Sequence, residues 1–270
     1  MKKVRNLLNE VKLLSVRAGE AILEIYKTDF DVQNKEDNTP VTAADMAAHH
    51  IIVDGLTQLT PDVPVLSEES TSPDFKVREK WKRYWLVDPL DGTKEFVKRS
   101  DEFSVNIALI DDHKPILGVI YSPVNQVLYF ASKHDGAFKA VQGQSAARIE
   151  IQKMSAGRIT AALSRSYIGP RFKVFLESFG EYTTISLGSS LKSCLVAEGS
   201  ADIYPRFGPT CEWDTGAAQC IVEEAGGMLV DTDLQPLRYN TKVSLLNPYF
   251  IVVGDRQFDW LPYMPHFSHV

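Results

Sequence analysis

Apolar residues recur at three- and four-residue steps through Val4, Leu7, Leu8, Val11, Leu14, Ala18, Ile22, Ile25 and Tyr26. That spacing predicts an amphipathic helix with one buried face, ending before "TDFDVQNKEDNTP". A second helix is expected near "TPVTAADMAAHHIIVDGLTQL", with Thr42 placed to cap it. "VPVLS" reads as a short strand running into Glu68 and Glu69, "STSPDFKVREKWKR" as a solvated excursion, and "RYWLVD" as a strand delivering Asp88 at its end. The short, turn-punctuated segments "FSVNIALI", "ILGVIYSP", "QVLYFAS", "GAFKA" and "ARIEIQ" predict an antiparallel meander.

After about residue 155 the pattern becomes an alternation of strand and helix, as in an α/β unit. "ITAALSRS", "TTISLG", "ADIYPRF", "MLVD" and "YFIVVG" read as strands. "SSLKSCLVAEG" and "DTGAAQCIVEEAGG" read as helices stopped by Gly199 and Gly226. The expected organisation is an α+β half over residues 1–155, holding most of the acidic motifs, and a smaller α/β half over residues 156–270.

At 270 residues the chain is long enough to bury about three-quarters of the surface its unfolded form exposes. Apolar content of 44% and charged content of 24% are those of a globular protein. The net charge of −6 argues against a general nucleic-acid binder, while leaving room for a local basic pocket. No apolar run reaches membrane-spanning length, and the charged start "MKKVRNLLNEVK" is unlike a secretory signal. Cys194, Cys211 and Cys220 are odd in number and lack C-x-x-C spacing, which favours a reduced, cytoplasmic compartment.

The candidate chemistry centres on "VDPLDGTKEF" at residues 87–96. An aspartate nucleophile would need Asp-x-Asp-Gly-Thr, yet Pro89 stands two residues before Asp91. A tight turn across Pro89 would instead aim Asp88, Asp91 and the Leu90 carbonyl at one point, an oxygen donor set suited to Mg²⁺. Gly92 and Thr93 follow where a helix could start and offer N–H groups to phosphate. Taken alone, this stretch also reads as a solvated turn with a capping threonine. Glu68 and Glu69 in "LSEES" and Asp214 in "CEWDTGAAQC" lie at the ends of apolar elements as well, as groups pointing into one cleft would. Carboxylates about 4 Å apart repel by roughly 1 kcal/mol in water and roughly 4 kcal/mol in a protein-like dielectric, so such a cluster calls for cations.

"SEES", "WLVDPLDGTKEF" and "EWDTGAAQCIVEEAGG" resemble, in order and content, the motifs of the metal-dependent, lithium-sensitive phosphatases related to inositol monophosphatase. The resemblance implies a layered α-β-α-β-α sandwich and inhibition by lithium. It makes Glu68, Asp88, the Leu90 carbonyl, Asp91 and Asp214 the shell of two or three Mg²⁺ ions, with Glu69 behind them. Thr93, Asp45 and Glu68 become the implied catalytic residues, the Thr93–Asp45 pair orienting or deprotonating the attacking water. Asp45 alone would read as a first-turn carboxylate on the helix dipole.

Lys94 and Glu95, where inositol-type enzymes usually carry Thr-Asn, resemble the 3′(2′),5′-bisphosphate nucleotidases, and "LGSSLKSCLVAEGSADIYPRFGPT" resembles their bacterial CysQ type. The implied substrate is a small nucleotide, 3′-phosphoadenosine 5′-phosphate, with 3′-phosphoadenylyl sulfate second, in sulfate assimilation. A second phosphate needs donors away from the metals, and Gly188, Ser189, Lys192 and Arg206 are the available set, beside Gly92, Thr93, Lys94 and Asp214 at the first. Tyr204 and Phe207 face either the base or the core. His49 and His50, about 100° apart on a helix, cannot share one site and are expected at the surface. Cys194 and Cys220 are expected to fill space.

Two other functions fit the same residues: an inositol- or sugar-phosphate phosphatase, and a catalytically silent nucleotide- or metal-binding protein. The silent protein would show a lost ligand, and every expected one is present. The sequence leaves open the oligomeric state and any peripheral attachment to the cytoplasmic face of the inner membrane.

Overall fold

Tyr84, Trp85, Leu86 and Val87 are apolar without a break, which suits a strand covered on both faces. In the structure, a computed structural model describing residues 2–28, 32–34, 40–154, 158–165 and 170–264, their side chains alternate between two cores. Tyr84 and Leu86 enter one apolar cluster and Trp85 and Val87 another.

Helices α1 (Lys2–Tyr26) and α2 (Ala43–Leu59) form the outer layer, pressing Val11, Ala18, Ile22, Ala48 and Ile52 onto the sheet. Between them, β1 (Val32–Asn34) and β2 (Pro40–Thr42) make an antiparallel ribbon that the periodicity does not predict. The Thr42 cap rests on a side chain outside those described. The main sheet runs in chain order: β3 (Val65–Ser67), β4 (Arg83–Asp91), β5 (Ser104–Asp111), β6 (Lys114–Ser122), β7 (Val127–Ser132), β8 (Gly136–Val141) and β9 (Ala147–Ile149). Its β3–β4 pair is parallel and the rest form the expected meander.

The second sheet has the order β11 (Glu181–Ser186), β10 (Arg158–Leu163), β12 (Ile203–Arg206), β14 (Phe250–Val253), β13 (Met228–Asp231). Between the sheets lie α6 (Leu191–Ala197) and α7 (Glu212–Glu224), and their cluster draws on both sheets. Helix α7 comes so close to β6 that a Cβ at Gly118 would sit 2.4 Å from the Ala217 carbonyl oxygen. The far face of the second sheet is covered by α5 (Pro170–Glu177), whose Phe172, Phe175 and Leu176 are buried against Ile203 and Val253. Helix, sheet, helix, sheet and helix stack as the resemblance implies.

Three local expectations change. The excursion over residues 70–83 holds a short helix α3 (Phe75–Arg78), and Arg78 is buried. Its guanidinium donates to Asn240 Oδ1 and to the Lys242 and Val243 carbonyls, so protein oxygens replace the water that an arginine normally requires. His49 is buried and His50 exposed, because α2 turns His49 inward to Ser67 Oγ, 2.9 Å from its Nδ1. Burial, and then the neighbouring His50, lowers the His49 pKa. Helix α5 is absent from the predicted elements, although Phe172, Phe175 and Leu176 carry a helical spacing.

Candidate active site

The acidic residues are delivered by the ends of rigid elements. Strand β4 does not turn at Pro89. Asp88 pairs with Asn106 and Asp91 with Ser104, so β4 carries one residue more than β5 between those pairs. That is a β-bulge, where a missing proline N–H is tolerated and side chains are re-aimed. The Leu90 N–H donates to Asp88 Oδ1 at 3.1 Å. Gly92 then takes φ 94°, a left-handed conformation open to glycine, and α4 (Thr93–Val97) begins.

Glu68 extends the parallel pairing by one position past Ser67, its N–H donating to the Val87 carbonyl at 3.1 Å, which sets it alongside Asp88 of β4. Asp214 lies in the first turn of α7, where Oδ2 accepts the Cys211 N–H at 2.7 Å. Glu68, Asp88 and Asp214 each present an oxygen within 4.8 Å of the others. Asp88 is 1% exposed, and its pKa is raised well above the usual range by burial and then by the charges of Glu68, Asp91, Asp214 and Asp45. Asp214 is pushed up by burial, Asp91 and Glu68. Asp88, buried, and Glu68 and Asp214, half-buried, oppose one another's ionisation and form an all-oxygen donor set, which fits a hard divalent cation.

Asp91 stands beside this trio and is not one of its three converging groups. Its Oδ2 accepts from the Ser190 N–H, from Ser190 Oγ at 2.6 Å and from Asn106 Nδ2 at 3.3 Å. Asp45, buried on α2, has Oδ2 3.4 Å from Thr93 Oγ1, which also lies 3.2 Å from the Leu90 carbonyl. Glu69 is half-buried next to Glu68.

A cavity of about 290 Å³ opens from Asp91, Gly92 and Asp214, past Lys94 and Ser189, to Lys192 and Arg206. Lys192 is 3% exposed, far from the solvated helix lysine that its spacing allows. Its Nζ donates to the Leu187 and Ser189 carbonyls at 3.2 and 2.7 Å and lies over the Tyr204 ring. Burial lowers its pKa to about 8 against the attraction of Asp91. Arg206 Nη2 donates to the Pro209 carbonyl at 3.1 Å. Tyr204 lines the cavity, whereas Phe207 packs against Phe172 and Phe175 in the core.

Gly188 departs from its expected place. It does not line the cavity, and its N–H donates to Glu102 Oε2 at 2.9 Å, so that amide is already used. Glu102 also pairs with Arg165. The helix proper starts after Ser190 rather than at Gly188. Ser190, Asn106 and Glu102 are site residues that the motifs do not mark. Ser190 follows Gly188 and Ser189, which is a signal of place but not of role.

The layered fold, with carboxylates converging beside a cavity of about 290 Å³ that Asp91 and Asp214 line, is that of a phosphatase scaffold. The Inositol monophosphatase family profile matches residues 3–256, and the chain belongs to that family. It is 52% identical over 248 residues to the 3′(2′),5′-bisphosphate nucleotidase CysQ of Escherichia coli K12, covering 91% of this chain and 99% of that protein. Identity to the protein of the same name from Haemophilus influenzae is 40% over 263 residues, with 94% and 95% covered. The crystal structure of CysQ from Bacteroides thetaiotaomicron superposes with a TM-score of 0.79 at 42% identity, covering 91% of this chain and 96% of that one. Among the described residues no helix is long and apolar enough to cross a membrane.

Proposed function

We propose that the chain is a metal-dependent 3′(2′),5′-bisphosphate nucleotidase. It removes the 3′-phosphate of 3′-phosphoadenosine 5′-phosphate, giving AMP and inorganic phosphate, and takes 3′-phosphoadenylyl sulfate second, as sulfate assimilation requires. The observation that carries this reading is one cavity of about 290 Å³ lined both by Asp91 and Asp214 and by Lys192 and Arg206. The name borne by the relatives from Escherichia coli and Haemophilus influenzae supports the same substrate class.

Glu68, Asp88 and Asp214, with Asp91 and the Leu90 carbonyl beside them, would hold two or three Mg²⁺, hard cations that an all-oxygen donor set suits. Bound there, Mg²⁺ would neutralise charge on the transferring phosphoryl group and make a water more acidic. Thr93 Oγ1 orients the attacking water and Asp45 Oδ2, at 3.4 Å, receives the proton passed through that hydroxyl. Gly92, Thr93 and Lys94, at the head of α4, take the phosphoryl oxygens. Lys192 and Arg206 hold the phosphate that is spared, and Tyr204 offers a ring face toward the base. The cysteines are all free thiols, which supports a cytoplasmic setting.

Phosphate release from 3′-phosphoadenosine 5′-phosphate and from inositol 1-phosphate, with Mg²⁺ and with a chelator, tests this directly. The nucleotide should have the higher kcat/KM by about 10-fold or more, the worth of one charge-assisted hydrogen bond. Chelation should abolish both activities. Faster turnover of the inositol ester overturns the substrate. Nucleotide binding without any turnover would favour the silent binding protein.

A further inference from the structure

Ser190 belongs by position to the nucleotide-side segment, yet its bonds run to the metal side. It is 5% exposed and sits just before α6. Its N–H and its hydroxyl both reach Asp91 Oδ2, and the hydroxyl lies 2.8 Å from the Asp214 carbonyl on α7. Asn106 Nδ2, from β5, donates to the same hydroxyl at 2.9 Å. Asn106 is held in turn by Ser104 Oγ at 3.0 Å. The single hydroxyl proton goes to Asp91 or to the Asp214 carbonyl, and the oxygen's lone pairs accept from Asn106.

We propose that Ser190 is a positioning residue for the metal-side carboxylates, tying Asp91 of the main sheet to the backbone of Asp214 on α7. The inference rests on the function proposed above. Nothing else among the hydrogen bonds described joins β4, β5, α7 and the 187–190 segment at one atom. The segment is itself fixed. Ser189 holds φ 51°, a left-handed conformation uncommon for serine, while Lys192 grips the carbonyls of Leu187 and Ser189, and Glu102 grips the Gly188 N–H. An anchor this rigid can hold a carboxylate to a fixed direction. Outer partners that orient ligands usually change metal affinity or activity by about 10–100-fold when removed.

The test is titration calorimetry of Mg²⁺ into the metal-free full chain, paired with titration of AMP in the absence of metal. Ser190→Ala should weaken Mg²⁺ binding by about 10-fold or more while leaving the AMP dissociation constant within about twofold. Ser190→Thr, which keeps the hydroxyl, should recover most of the Mg²⁺ affinity. A matched melting temperature for wild type and Ser190→Ala in chelator establishes that both are folded. Unchanged Mg²⁺ affinity in Ser190→Ala, or a loss confined to AMP, overturns the proposal, the latter by making Ser190 a nucleotide contact. Failure of the wild-type protein to bind Mg²⁺ at all would sink the phosphatase reading itself rather than the role of this one residue.

Discussion

The two ends of the cavity are built on opposite principles. At one end, Asp91 of β4 and Asp214 of α7 line the cavity, with Asp88 of β4 and Glu68 just past β3 gathered against Asp214, and their mutual repulsion is the feature that defines the site. At the other end, Lys192 and Arg206 spend hydrogen bonds on backbone carbonyls of their own neighbourhood, and a segment of irregular chain holds the shape. The first end is electrostatically incomplete without a cation. The second is a preformed cationic cradle whose donors are already braced. On the proposed function, divalent cations would complete the first end and receive the phosphate to be cleaved, while the second end would take the phosphate that is spared.

Substitutions that respect this division should separate its two halves. Asp88→Asn removes a buried charge from the cation end, and kcat should fall by at least about 10³-fold, the scale of losing a principal charge-stabilising group. The metal-free variant should melt no lower than wild type, since a repelling charge has gone. Near-normal kcat would show that the trio does not hold the working cation. Arg206→Ala acts at the other end, and should raise KM for 3′-phosphoadenosine 5′-phosphate by about 10–100-fold, the worth of a charge-assisted hydrogen bond. Adenosine 3′-phosphate, which lacks the second phosphate, should be turned over with nearly unchanged KM. Equal changes with both substrates would remove Arg206 from that role.

A smaller effect distinguishes the ends by pH. Asp214 is raised from 3.8 to about 8 in the folded chain, so the native state holds a proton that the unfolded state has released. Stability of the metal-free protein should therefore fall as pH rises from about 4 to about 8. Mg²⁺ should flatten that slope by favouring the ionised carboxylates. Melting curves across this range in chelator and in Mg²⁺ check it, and parallel slopes in the two series would contradict it.

The same division explains what the sequence could disclose. At the cation end each carboxylate alone could pass as a turn or capping residue, and Glu68, Asp88, Asp91 and Asp214 stand out because they recur, in order, at the ends of apolar elements. The unbroken apolar runs Tyr84–Val87 in β4 and Ile107–Ile110 in β5 likewise disclose a sheet buried on both faces. The bulge at Pro89 was less legible than a turn, because it depends on the register against Asn106 and Ser104. Ser190 and Asn106 are ordinary polar residues whose role comes from partners on other elements, Asn106 standing 84, Asp91 99 and Asp214 24 positions from Ser190. Arg78 and His49 looked solvated for the same reason, since only tertiary structure supplies the carbonyls and the Ser67 hydroxyl that let them be buried.

The central claim is that one cavity holds a cleaved phosphate at the carboxylates and a spared phosphate at the cationic cradle. A crystal structure of the protein soaked with Mg²⁺, AMP and phosphate tests it most directly. The account predicts cations among Glu68, Asp88 and Asp214, inorganic phosphate against them, and the AMP phosphate within hydrogen-bond reach of Lys192 or Arg206. An AMP phosphate bound elsewhere, with the Lys192–Arg206 end left to water, would contradict it.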